Sequence, residues 1–140
     1  MGFLHTLENM KCNTRHSWTH TGRHESVAEH TFRVCCMAFL LEREFPELDM
    51  NRVLKMCLIH DWGEAVTGDI PSFLKTGGDE ARELDAIHAL TAKLPDREAE
   101  LNALYAEMEA RETPEAKFYK ALDRLEAVIQ HNEAPMSTWL

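Results

Sequence analysis

Apolar residues recur every three or four positions along most of this chain, and that spacing fixes the fold class before anything else does. Ser26 and Glu29 form an S-x-x-E capping box, and His30, Val34, Met37, Ala38, Leu41 and Phe45 come after it at helical spacing. Pro46 stops that helix. Asp49 can cap a second, which carries Val53, Leu54, Met56, Cys57, Leu58 and Ile59. So apolar an end predicts a central, buried helix. Gly63, Gly68 and Pro71 then break the helical pattern. Further helices are expected over residues 80–94 and 97–111. Another starts from Thr113-Pro114, an N-cap followed by proline, with Phe118, Leu122, Leu125 and Ile129 as one stripe. Residues 3–11 read as a short amphipathic helix with Leu4 and Leu7 on one face, and the polar residues 12–23 as a loop. Strand signals are scarce. The expectation is one all-α domain over residues 1–140, with about six helices. The uncapped apolar ending, Trp139-Leu140, fits a helix continuing further or a surface that packs on a partner.

Charge then narrows the function. The 15 Lys+Arg against 24 Asp+Glu leave a formal net charge of −9. That argues against a nucleic-acid polymer as partner, because displacing counterions from phosphates needs a broad basic face. A small phosphorylated substrate remains compatible, since a pocket can be basic on an acidic protein. No basic start followed by an apolar run marks a signal peptide, and no stretch approaches the length of a membrane span. Cys12, Cys35, Cys36 and Cys57 show no C-x-x-C spacing and read as reduced thiols. The expectation is a cytoplasmic protein away from membranes.

The residues that can carry chemistry each have two readings. His60-Asp61 closes an apolar helix. It is either a solvated helix end or a metal-ligand pair, since a buried Asp needs a partner. His30 lies on the apolar stripe of the preceding helix, as a core histidine or a ligand. Glu64, four residues after His60, would share its side of a continuing helix. It is a surface carboxylate or a proton acceptor. Asp69 is a turn residue by its setting, and Asp123 sits at the edge of the late apolar stripe, from which it can reach inward. His16, His20 and His24 have four-residue spacing, but the surrounding Thr and Gly disfavour a helix and hence a metal cluster. Arg15 offers a planar fork suited to phosphate, and Trp18 a ring that can stack on a base or anchor its loop.

Taken together, His30, His60-Asp61 and Asp123 resemble the H…HD…D pattern of the HD-domain superfamily of metal-dependent phosphohydrolases. Glu25-Ser26-Val27-Ala28-Glu29-His30 and the run from His60 to Pro71 are similar to the corresponding stretches of its 5′-deoxynucleotidase branch. The resemblance covers about residues 3–131. It implies a helical HD fold and one divalent metal ion (Mn, Co, Fe, Ni, Zn or Mg) held by His30, His60, Asp61 and Asp123. It also implies Glu64 and Asp69 as the residues handling water and the reacting phosphate, Arg15 as a phosphate contact and Trp18 as a determinant of sugar selection. A homodimer is implied as well.

The chemistry is coherent with such a ligand set. Two neutral imidazoles and two carboxylates offset a divalent charge, and four ligands on an octahedral ion leave two positions for water and a phosphate oxygen. Arg15 or Lys75 can balance the phosphate charge. The expected activity is hydrolysis of deoxyribonucleoside 5′-monophosphates. The alternatives are hydrolysis of another small phosphate ester and a non-catalytic metal- or nucleotide-binding module.

Overall fold

The computed structural model describes residues 2–67 and 77–139. Its elements run α1 (Gly2–Leu7), α2 (Asn9–Cys12), β1 (Thr14–Trp18), β2 (His24–Ser26), α3 (Val27–Leu41), α4 (Met50–Ile59), α5 (Glu64–Thr67), α6 (Gly77–Thr91), α7 (Glu98–Ala110) and α8 (Pro114–Glu133). Short 3-10 turns succeed α3 and α8. Helices dominate, as their periodicity predicts, and no described helix is long and apolar enough to cross a membrane.

The helix ends obey the local chemistry. Ser26 Oγ accepts from the Glu29 backbone N–H at 3.1 Å, and the Glu29 carboxylate accepts from the Ser26 N–H at 2.8 Å, closing the capping box. Asp49 accepts from the Arg52 N–H at 3.1 Å, and Thr113 from the Ala116 N–H at 3.2 Å. Each satisfies a donor that the first helical turn leaves open.

The core lies where α3, α4, α7 and α8 meet. Val34, Ala38, Val53, Met56 and Cys57 are fully buried, with Leu104 and Leu122 nearly so. Burying a large apolar side chain of this kind is worth about 1.5–3 kcal/mol. A smaller cluster of Met10, Val27 and Ala65 ties α2 and α5 to the start of α3. Tyr105 of α7 donates to the carbonyl of Ile59 at 2.6 Å, so the last turn of α4 is fixed from the side.

The structure departs from the sequence pattern in several places. Residues 12–23 are not a loop throughout, because β1 pairs antiparallel with β2, with Thr14 opposite Ser26 and Trp18 opposite His24. The polar composition hides a ladder whose partner lies across a turn. That turn closes through Thr19 N–H to Arg23 O at 2.7 Å, with Gly22 at a φ of 88° that disfavours other residues. The N-terminal helix is two pieces, and of its expected apolar face Leu4 is exposed while Leu7 packs, partly buried, against the Met10, Val27 and Ala65 cluster. The helix starting at Val27 ends at Leu41 rather than Phe45, and Leu58 of α4 is half exposed. On α8 the buried line is Ala116, Tyr119, Leu122, Glu126 and Gln130, while Leu125 faces outward. A polar cluster fills space that the sequence pattern assigns to an apolar stripe.

Candidate metal centre

Three helices deliver the polar cluster. His30 sits in the first turns of α3, His60 and Asp61 directly succeed α4, and Asp123 lies mid-way along α8. The two imidazoles meet edge to face with ring centroids 5.4 Å apart. Asp123 Oδ1 lies 2.8 Å from His30 Nε2 and 3.3 Å from His60 Nε2. His60 Nε2 is 3.0 Å from Asp61 Oδ2. Ligand atoms of His30, His60 and Asp61 all fall within 4.8 Å of one another.

These separations match a coordination shell. Ligands about 2.1 Å from an octahedral ion lie about 3.0 Å from their neighbours and about 4.2 Å across. The hydrogen bonding points the same way. His60 Nδ1 donates to the Cys57 carbonyl at 2.6 Å, which leaves Nε2 as the free ring position in the neutral tautomer. His60 Nε2 and Asp61 Oδ2 are buried without a well-formed hydrogen bond, although they lie close together. A bare lone pair facing two carboxylates is repulsive unless positive charge sits among them. The donor set therefore fits a divalent cation. The C-terminal end of α4 adds its own negative field to the same point.

Ionisation reflects that crowding. Burial disfavours the charged forms of both histidines, but the carboxylates outweigh it. Asp123 and Glu126 raise His30, and Asp61 and Asp123 raise His60 well above the ordinary value. Burial alone would raise Asp123, yet its bonds to His30 and His60 hold it far below the usual carboxylate range. Cys57 lies beneath the cluster, fully buried, and burial pushes its thiol up to about 12. It is packing material there, since its thiolate is not accessible near neutral pH.

A cavity of about 210 Å³ opens beside the cluster. His60, Asp61, Glu64, Asp123, Tyr105, Tyr119, Lys120 and Arg111 are among the residues lining it. Glu64 is buried in the single turn of α5, which starts from its backbone N–H to the Asp61 carbonyl at 2.9 Å. Asn13 donates to the Glu64 carbonyl at 2.6 Å and fixes that turn from the hairpin side. Gly63 allows α6 to close in, because a Cβ there would meet Ile87 Cγ1 at 3.1 Å and the Glu83 carbonyl at 3.3 Å. Lys120 Nζ sits 3.0 Å from Asp123 Oδ2, so one Asp123 oxygen faces the histidines and the other a cation.

The remaining expected residues divide. Arg15 reaches the cluster, 3.8 Å from Asp61 Oδ2 and 3.1 Å from Glu25 Oε1. The Trp18 ring stacks on His24 at 3.7 Å and is not among the side chains lining this cavity. Asp69 and Lys75 lie outside the described residues. Two further buried carboxylates, Glu25 and Glu126, are not among the expected site residues. Glu25 is 3% exposed, and its acidity is weakened first by burial and then by nearby Glu126. Glu126 is fully buried, 2.5 Å from His30 Nδ1. Its spacing of three from Asp123 places both on one face of α8, and that spacing is the signal that points to it.

A family model described as HD domain matches residues 7–140. The chain belongs to the HD domain family. Among relatives of this HD domain, a bovine protein named 5′-deoxynucleotidase HDDC2 is 34% identical over 94% of this chain. A protein of the same name from Dictyostelium discoideum is 30% identical over 94% of the chain and 75% of its own length. This HD domain spans 65% of the length of the bovine relative. A crystal structure of a "predicted metal-dependent phosphohydrolase" from Magnetospirillum magnetotacticum superposes with a TM-score of 0.84 at 37% identity. It covers 95% of this chain and 69% of that one.

Proposed function

We propose that this HD domain is the catalytic domain of a divalent-metal phosphomonoesterase that hydrolyses deoxyribonucleoside 5′-monophosphates. The observation that carries it is the convergence of His30, His60, Asp61 and Asp123 at coordination spacing beside a cavity. The names of the relatives supply the substrate class. In this reading those four residues hold the ion. When bound, such an ion acidifies water and withdraws charge from a phosphoryl group.

The chain's own residues do the rest. Glu64, buried and cavity-facing, orients the attacking water and takes its proton. Lys120, on the cavity wall, and Arg15, beside Asp61, offset the phosphate charge. Asp69 is assigned to the reacting phosphate, and Trp18 to the sugar, on the resemblance of their motifs. Water oxygen bonds to phosphorus as Glu64 takes its proton, the bond from phosphorus to O5′ breaks, and O5′ takes a proton from solvent, to which Glu64 returns its own. Deoxynucleoside and inorganic phosphate result. The same resemblance extends the proposal to a homodimer, and the free thiols fit a cytoplasmic setting. Sedimentation of the purified protein tests the dimer.

The test is phosphate release from deoxy- and ribonucleoside 5′-monophosphates by chelator-treated protein resupplied with Mn²⁺, Co²⁺, Mg²⁺ or Zn²⁺. Metal-dependent release favouring deoxynucleotides is the expected result. Equal release from both sugars removes the role given to Trp18 and keeps the hydrolase. Metal binding without release from any nucleotide rejects the nucleotidase.

A further inference from the structure

We propose that Glu126 is the positioning residue of the metal centre, fixing His30 in the tautomer whose Nε2 is free to ligate. This rests on the metal-centre reading above.

Both partners are completely withdrawn from water, at 0% exposure. A buried carboxylate is costly unless its oxygens are matched. Those of Glu126 are: Oε1 lies 2.5 Å from His30 Nδ1, and Oε2 accepts from Arg33 Nε at 2.6 Å. No step of the proposed reaction uses Glu126, whose two oxygens are both taken up by protein partners. Carboxylates face both ring nitrogens, Glu126 at Nδ1 and Asp123 at Nε2, so with Nε2 given to a cation the proton of neutral His30 must reside on Nδ1, where an ionised Glu126 accepts it. Nε2 is then a lone pair beside Asp123, as a ligand must be.

The alternative tautomer explains why this matters. With the proton on Nε2, His30 would donate to Asp123 Oδ1 across the same 2.8 Å and close the site with an internal hydrogen bond. His60 solves the same problem with a backbone acceptor, the Cys57 carbonyl. His30 has no such carbonyl among its hydrogen-bond partners in the described residues and depends on a side chain.

That side chain is itself held. Arg33 Nη2 donates to Gln130 Oε1 at 2.8 Å, and Gln130 Nε2 donates to the Trp18 carbonyl at 2.8 Å. Arg33 Nη1 also pairs with Glu133 at 2.8 Å. The carboxylate is thus pinned between α3, α8 and β1. Glu25, His30 and Glu126 also form a compact buried group, but Arg33 on Glu126 and Arg15 beside Glu25 already supply its positive charge.

The experiment measures Co²⁺ affinity by chelator competition on full-length Glu126→Gln, with unfolding tracked in parallel. The near-isosteric amide either turns an N–H toward Arg33 or turns it toward His30 and favours the wrong tautomer. Co²⁺ binding by the folded variant should weaken about 10–100-fold. A folded variant that binds Co²⁺ within about twofold of wild type, merely less stable, overturns the proposal. Arg33→Gln provides a second arm, because Arg33 is partly exposed and tolerates replacement better. It should weaken Co²⁺ binding severalfold, and unchanged affinity there counts against the proposal. If wild type itself binds no Co²⁺, the metal-centre reading falls and takes this one with it.

Discussion

The helices α3, α4 and α8 build two regions of opposite character from the same faces. On α3, His30 points into the polar cluster, and Val34 and Ala38, one and two turns later, point into the core. On α4, Met56 and Cys57 are core, while His60 at its end is a candidate ligand. On α8 the switch falls between Leu122 and Asp123. The apolar region is held by shape and tolerates no charge. The polar region is held by matched charges and needs one more, positive, to be balanced. One helical stripe can carry both, provided every buried polar atom finds a partner.

The largest expected effect comes from His60→Ala or Asp123→Ala. Phosphate release should fall by about three orders of magnitude, in line with losing several kcal/mol of metal assistance, while circular dichroism stays helical. Full turnover by either variant would erase the distinction between the regions. Met56→Ala should do the reverse. Deleting a fully buried core side chain costs about 2–5 kcal/mol in chemical denaturation, yet Co²⁺ affinity of the folded protein stays unchanged. A large drop in affinity would mean that the two regions are not separable.

pH sharpens the contrast. His30 and His60 are raised above 6.5 in the metal-free chain, chiefly by Asp123, Glu126 and Asp61 working against burial. Their charged forms stabilise the fold fully below 6.5, and that contribution is lost as pH rises through the higher folded-state values. Metal-free protein should therefore melt lower as pH climbs above 6.5. Metal affinity should rise over the same interval, because bound protons must leave. Melting curves with and without Zn²⁺ read both, and a gap that does not widen with pH contradicts the assignment. The smallest effect is Ser26→Ala, which removes the α3 cap and should cost about 1 kcal/mol in denaturant unfolding.

Much of this is legible in the sequence because it is local. Capping at Ser26, Asp49 and Thr113 and the apolar repeat of α3 are short-range signals, and they appear where expected. His30, His60, Asp61 and Asp123 stand out as polar residues on or beside apolar stripes. The β1–β2 pairing is not legible, since its ladder depends on a turn and on packing rather than on strand propensity. The α8 stripe misleads for a related reason. Leu125 looks like core and Glu126 like surface until the histidine that Glu126 must satisfy is known. Burial of a charge is decided by its partner, and that partner lies 96 positions away in the chain.

The most direct test of the central claim is anomalous diffraction from crystals of the protein loaded with Mn²⁺. One strong peak is expected, with His30 Nε2, His60 Nε2, Asp61 and Asp123 each within about 2.0–2.3 Å. A peak seated instead between Glu25 and Glu126, or a metal-loaded crystal with no peak among these four residues, would contradict it.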